Sequence, residues 1–95
     1  MHDVLDRVLH QPIRTRIMAY LLASGSCTYS GLKTMFDLSD GHMTTHMREL
    51  LEHEYVEMKK TFVANKPQTT YYLTSKGQKA FSDYIAVLKK IILAE

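Results

Sequence analysis

The sequence predicts a mainly α-helical domain that carries one small β-hairpin, an α+β fold. Two observations predict it. Apolar residues recur at helical spacing from residue 4 to residue 51 and again from residue 81 to residue 92. Between those stretches, from Tyr55, the period changes from about 3.6 to 2 and β-forming residues crowd together. The chain has 95 residues, enough for one domain at most. Apolar residues make up 45% and charged residues 23%, an ordinary globular balance that excludes a disordered chain.

Each element has its own justification. Residues 3–9 place Val4, Leu5, Val8 and Leu9 on one helical stripe. Gln11-Pro12 interrupts that stripe, and Pro12 suits the first turn of a second helix running to about Ala23. Ile13, Ile17, Met18 and Leu21 form its apolar face, and Gly25 supplies a left-handed stop. Cys27-Thr28-Tyr29 allows only a scrap of strand. Ser30 is expected to cap a helix from Gly31 to Asp37 that buries Leu32, Met35 and Phe36. Leu38 points inward. Ser39 caps a helix over residues 40–54, with Met43, Met47, Leu50 and Leu51 facing the core. Tyr55–Val63 reads as a strand, residues 64–68 as a polar turn, and Thr69–Leu73 as the returning strand. Thr74 caps a last helix that runs from Ser75 almost to the end. The expected organisation is one unit over 1–95: N-terminal helices in 1–23, a helix pair in 30–54, a hairpin in 55–73 and a C-terminal helix in 74–95. Two helices joined through Leu38-Ser39-Asp40 make a helix-turn-helix, and the hairpin directly after it makes the winged variant.

Charge placement says more than net charge. Twelve Lys and Arg against ten Asp and Glu give only +2, yet no acidic residue occurs from Met58 to Ser82. Lys59, Lys60, Lys66, Lys76 and Lys79 fall in that stretch, and a field of that sign attracts polyanions.

Three segments carry a family resemblance. Leu38 to Leu50 (LSDGHMTTHMREL) resembles the recognition-helix signature of the MarR/ArsR superfamily of transcriptional regulators. Tyr71 to Phe81 (YYLTSKGQKAF) resembles that superfamily's junction between wing and last helix. Val8 to Met18 (VLHQPIRTRIM) is similar to the opening helix of its small stand-alone members. The resemblance implies a homodimeric, sequence-specific regulator that binds double-stranded DNA. The paired-cysteine motif of the metal-sensing branch is absent from this sequence.

With Met43, Met47, Leu50 and Leu51 facing the core, the opposite side of helix 40–54 is Gly41, His42, Thr44, Thr45 and Arg48. The N-terminal half of such a helix meets base edges in the major groove. Arg48 can bond guanine bidentately, and the threonines can offer hydroxyls or methyls to bases. Gly41 lets backbone approach a phosphate at the helix N-terminus. Asp40 works against that by repelling phosphate. The wing, residues 62–70 with Asn65 and Lys66 at its tip, suits a flanking backbone or minor groove. Tyr29, Ser30 and Lys33 could clamp a phosphate.

His42, His46, Glu49 and His53 share one stripe of the same helix, and a His-x-x-x-His pair can bind a transition metal. No aligned cysteine or further carboxylate completes the set, so no metal and no cofactor are expected. Protonation of His42 or His46 beside phosphate would tighten DNA binding. The one cysteine, Cys27, excludes an intramolecular disulfide and reads as core filler. No nucleophile–base set or phosphate-cradling loop is visible, so an enzyme is not expected. No apolar run approaches the length of a membrane span, and Met1-His2-Asp3-Val4 lacks a signal peptide's basic segment. A cytoplasmic location follows as the expectation.

The last helix presents Phe81, Tyr84, Ile85, Leu88, Ile91 and Ile92 on one stripe, longer than so small a domain can cover. A two-fold homodimer is expected, with Val4, Leu5, Val8, Tyr84, Leu88, Ile91 and Ile92 at its interface. The competing expectation is a winged-helix protein–protein interaction module that does not bind DNA.

Overall fold

The computed structural model describes residues 4–94. Its elements in chain order are α1 (Pro12–Ser24), β1 (Ser26–Thr28), α2 (Tyr29–Met35), α3 (Asp40–Glu52), β2 (Val56–Val63), β3 (Lys66–Leu73) and α4 (Ser75–Leu93). The three strands form one antiparallel sheet in the order β1-β3-β2. This is the winged-helix arrangement that the sequence predicts: a helix-turn-helix followed by a hairpin and a long last helix.

Local chemistry sets the helix boundaries. Gln11 Oε1 accepts from Arg14 N at 2.8 Å and Pro12 opens α1. Gly25, at φ 83°, closes it by donating its N–H to Leu21 O. Thr28, rather than Ser30, caps α2: its Oγ1 accepts from Gly31 N at 3.0 Å. The helix therefore starts earlier than the sequence suggests, and Met35, expected in the core, is its last residue and is 46% exposed. Ser39 Oγ accepts from His42 N and opens α3. α2 and α3 end alike. Asp37 and Glu54 take left-handed φ of 51° and 61° just past the helices. Leu38 N then donates to Lys33 O, and Tyr55 N to Leu50 O, which satisfies carbonyls that would otherwise lack partners.

The predicted helix over 3–9 does not form in the described part of that segment; Asp3 lies outside the described residues. Residues 7–9 make a turn instead. Asp6 Oδ1 accepts from both Val8 N and Leu9 N, a local side-chain bond that competes with helix formation. The turn still buries Val8 and Leu9.

The core is built from Leu9, Ile17, Met18, Leu21, Leu32, Met43 and Leu50, all fully buried, closed by Val56, Tyr71, Phe81 and Tyr84. Two residues expected at a dimer interface, Val8 and Tyr84, lie in this core at 9% and 4% exposure. Leu5 and Leu88 pack against its edge. Val4, Ile91, Ile92 and Leu93 remain exposed.

β3 is longer than the sequence suggests. Lys66, Pro67 and Gln68 belong to the strand, and the turn is only Ala64-Asn65, at φ 51° and 63°. Positive φ at both positions matches the twist of a two-residue hairpin. β1 covers only Thr70–Tyr72 of β3, so the wing beyond is a free two-stranded ribbon. At the junction with α4, Gly77 sits against the backbone of Tyr55, where a Cβ would fall 2.0 Å from the Tyr55 carbonyl oxygen. Wing and α4 extend the molecule to 55 × 25 × 21 Å.

Candidate nucleic-acid interface

α3 carries two faces. Met43, Met47 and Leu50 are buried on one, while Gly41, His42, Thr44, Thr45 and Arg48 are all exposed on the other. The two threonine hydroxyls are already engaged. Thr44 Oγ1 donates to Asp40 O at 2.9 Å, and Thr45 Oγ1 donates to Gly41 O at 3.0 Å. Each hydroxyl proton is thus used within the helix, which leaves an acceptor lone pair and a methyl to meet a base edge.

His46 departs from the expectation. It turns inward, 8% exposed, and its Nδ1 accepts from Arg14 Nη1 at 3.1 Å. The same guanidinium donates from Nε to Val8 O at 2.6 Å. Burial first, then the Arg14 charge and His42, hold the His46 pKa below the usual histidine value. A neutral ring with its proton on Nε2 satisfies this geometry, so His46 is a core residue and cannot contact phosphate. His42 is the histidine left on the exposed face. Among the described residues no group of three or more His, Cys, Asp or Glu is placed to hold a metal ion.

Asp40, the exposed carboxylate at the start of α3, is engaged by two neighbours. Lys33 Nζ lies 2.9 Å from Oδ1, and Tyr29 donates its hydroxyl to the same oxygen at 2.6 Å. Both bonds lower the Asp40 pKa, the lysine contact most strongly. The hydrogen bond to the carboxylate pushes the Tyr29 hydroxyl up to about 12. Lys33, expected as a free phosphate contact, therefore neutralises Asp40 in this structure. Sequence reading missed this triad because α2 and α3 bring its members together only through the turn.

The wing forms the second wall. A groove of about 470 Å³ runs between α3 and the sheet, with Met47, Leu51, Met58 and Tyr71 as its floor and Arg48 and Lys60 beside it. Lys60 faces this groove; Lys59 turns to the other side, with its Nζ 5.2 Å from the Tyr72 ring centroid. A second hollow of about 360 Å³ joins Tyr29 and Ser30 of α2 to Lys66 and Gln68 of the wing. α3, the start of α2 and the wing thus frame one surface that carries Arg48, Lys60 and Lys66, with Glu52 beside the first two. The free cysteine, Cys27, stands apart in β1, its pKa raised by burial.

Residues 13–92 match the family model described as a winged helix DNA-binding domain. The chain belongs to that family. It is 32% identical over 79 residues to an uncharacterised protein of Methanocaldococcus jannaschii, covering 83% of this chain and 86% of the relative. Among solved structures it is similar to a transcriptional regulator homologue from Pyrococcus horikoshii OT3. That pair shares 28% identity and a TM-score of 0.84, with 92% of this chain and 86% of the other covered. It is also similar to a possible transcriptional regulator for arsenical resistance, at 27% identity and a TM-score of 0.68, covering 90% and 86%. The family and fold are those of transcriptional regulators. Among the described residues no helix is long and apolar enough to cross a membrane.

Proposed function

We propose that this winged-helix protein is a homodimeric, sequence-specific regulator of transcription that binds double-stranded DNA. α3 enters the major groove through Gly41, His42, Thr44, Thr45 and Arg48. The wing, residues 62–70, lies on the flanking backbone or minor groove with Asn65 and Lys66 at its tip. The observation that carries this reading is the outer face of α3: exposed, built of small side chains with one histidine and one arginine, and with its first-turn carboxylate held by Lys33. Small residues admit close approach to base edges, and the arginine supplies a bidentate donor.

A second copy is the natural cover for Val4, Ile91, Ile92 and Leu93, which are 70%, 49%, 67% and 72% exposed. Two-fold symmetry then asks for a pseudo-palindromic site with half-sites about 34 Å apart. Cytoplasmic location fits this role.

The test is a salt titration of binding to random-sequence duplex DNA, with sedimentation equilibrium in the same buffer. Phosphate contacts make log affinity fall steeply with log salt. A dimer showing that slope supports the reading. A dimer with no binding even at low salt refutes it and favours a protein-interaction module.

A further inference from the structure

Phe62 stands at the far end of the wing with 78% of its surface exposed, an unusual place for a phenylalanine. Strand parity decides which way it faces. Along β2, Val56 is buried in the core, and Met58 and Lys60 line the groove shared with α3. Phe62 follows at the same parity, so its ring points to the side on which α3 lies. Its partner across the hairpin is Pro67, a second rigid apolar group. From Val56 to Phe62 the strand advances about 20 Å. The major groove is about 12 Å wide, so a wing of that reach clears the phosphate rail beside a helix seated in the groove. The charge on the wing suits a polyanion: Lys60 is exposed on the same face as the ring, Lys66 is exposed at the opposite parity beside Pro67, and Glu57 is the nearest acidic residue in the sequence.

We infer that Phe62 is an apolar wedge for the minor groove flanking the α3 contact, backed by Pro67 and held against the backbone by Lys66. Apolar side chains that enter the minor groove partly unstack a base step and bend the duplex. The contact adds affinity that salt does not screen. It also selects sequence at the flank, because pyrimidine–purine steps unstack most readily. This inference rests on the DNA-binding reading above.

The experiment uses the full chain and a duplex enriched by it from a random library, with 2-aminopurine placed in turn at each flanking step. Wild type is expected to raise the fluorescence severalfold at one step, and Lys66→Ala to keep that signal while making the salt slope shallower by about one phosphate contact. Phe62→Ala should abolish the signal and weaken binding about tenfold, the scale of one partly buried phenylalanine, with the salt slope unchanged. Phe62→Leu should retain most of both. Circular dichroism checks that each variant folds. Wild-type affinity in Phe62→Ala, or a flank that never brightens with wild type, overturns the wedge while leaving DNA binding intact. A wild-type protein that enriches no duplex overturns the DNA-binding reading itself, and the wedge with it.

Discussion

Gly77→Ala should be the most damaging single-methyl change in this protein. The Cβ it adds would sit 2.0 Å from Tyr55 O, 2.8 Å from Tyr55 C and 2.9 Å from Tyr55 Cα. Carbon and oxygen need about 3.4 Å, so α4 or the Tyr55 backbone must move by more than 1 Å (about 1.4 Å on the shortest contact). Neither side is a flexible side chain. Thr74 N donates to Tyr55 O at 3.2 Å, and Thr74 Oγ1 accepts from Gly77 N at 2.8 Å while donating to Glu54 O at 2.7 Å. Overpacking costs roughly 1–3 kcal/mol, and strain on two of these hydrogen bonds adds roughly 1–2 kcal/mol. Better helix propensity of alanine returns up to about 1 kcal/mol. The net loss is about 3 kcal/mol, or a fall in Tm of about 12–24 °C for a domain of this size. Urea and thermal unfolding followed by far-UV circular dichroism measure it. Gly41→Ala is the internal control: it also lies in a helix's first turn, yet its nearest neighbour would be Ser39 Oγ at 3.9 Å. Equal stability of wild type and Gly77→Ala, or equal losses for the two variants, would refute the packing argument.

Four further outcomes are expected. Gly41→Ala should hold or raise stability by up to about 1 kcal/mol, yet weaken duplex binding in a fluorescence anisotropy titration, because the new methyl stands between backbone and phosphate. Arg48→Ala should cost about 1–3 kcal/mol of binding and relax preference at one base pair, read by competition among duplexes differing at single positions. Burial, Arg14 and His42 lower the pKa of His46, so below its unfolded value near 6.5 the unfolded chain takes up more protons than the folded one. Stability is therefore full above that pH and declines as pH falls toward the folded value; urea midpoints from pH 8 to pH 5 should show this slope, and His46→Gln should flatten it. Ile91→Ser with Ile92→Ser should shift sedimentation equilibrium toward monomer without lowering protomer helicity, since both side chains are exposed on α4.

Sequence pattern alone disclosed the parts of the fold that local rules dictate. Ser39 and Thr74 cap α3 and α4 as read, Gly25 stops α1, and the change from helical to strand period places the wing. The departures arise where long-range or competing local contacts win. Asp6 bonds two backbone N–H groups and turns a helical stripe into a turn. Pro67 reads as a breaker, yet it sits where β1 no longer reaches, next to the pair that closes the hairpin; that position asks no ladder N–H of proline. β1 joins the sheet because β3 offers an open edge at Thr70–Tyr72, a pairing invisible in a three-residue segment. On the candidate surface, the exposed set on α3 follows from helical parity. His46 also lies on the buried stripe by spacing, three residues after Met43 and four before Leu50; what local pattern could not disclose is its bond to Arg14, 32 residues away, which lets an imidazole be buried there. Nor could it disclose the neutralisation of Asp40 by Lys33 across the turn.

The length of the wing and of α4 also governs how the protein moves through solvent. The Cα radius of gyration is 14.4 Å, whereas a compact chain of this size has about 12 Å. Friction grows with extension at constant mass. A single protomer should therefore diffuse more slowly, and leave a sizing column earlier, than a compact protein of equal mass. Sedimentation equilibrium is indifferent to that drag, because at equilibrium only buoyant mass sets the concentration gradient.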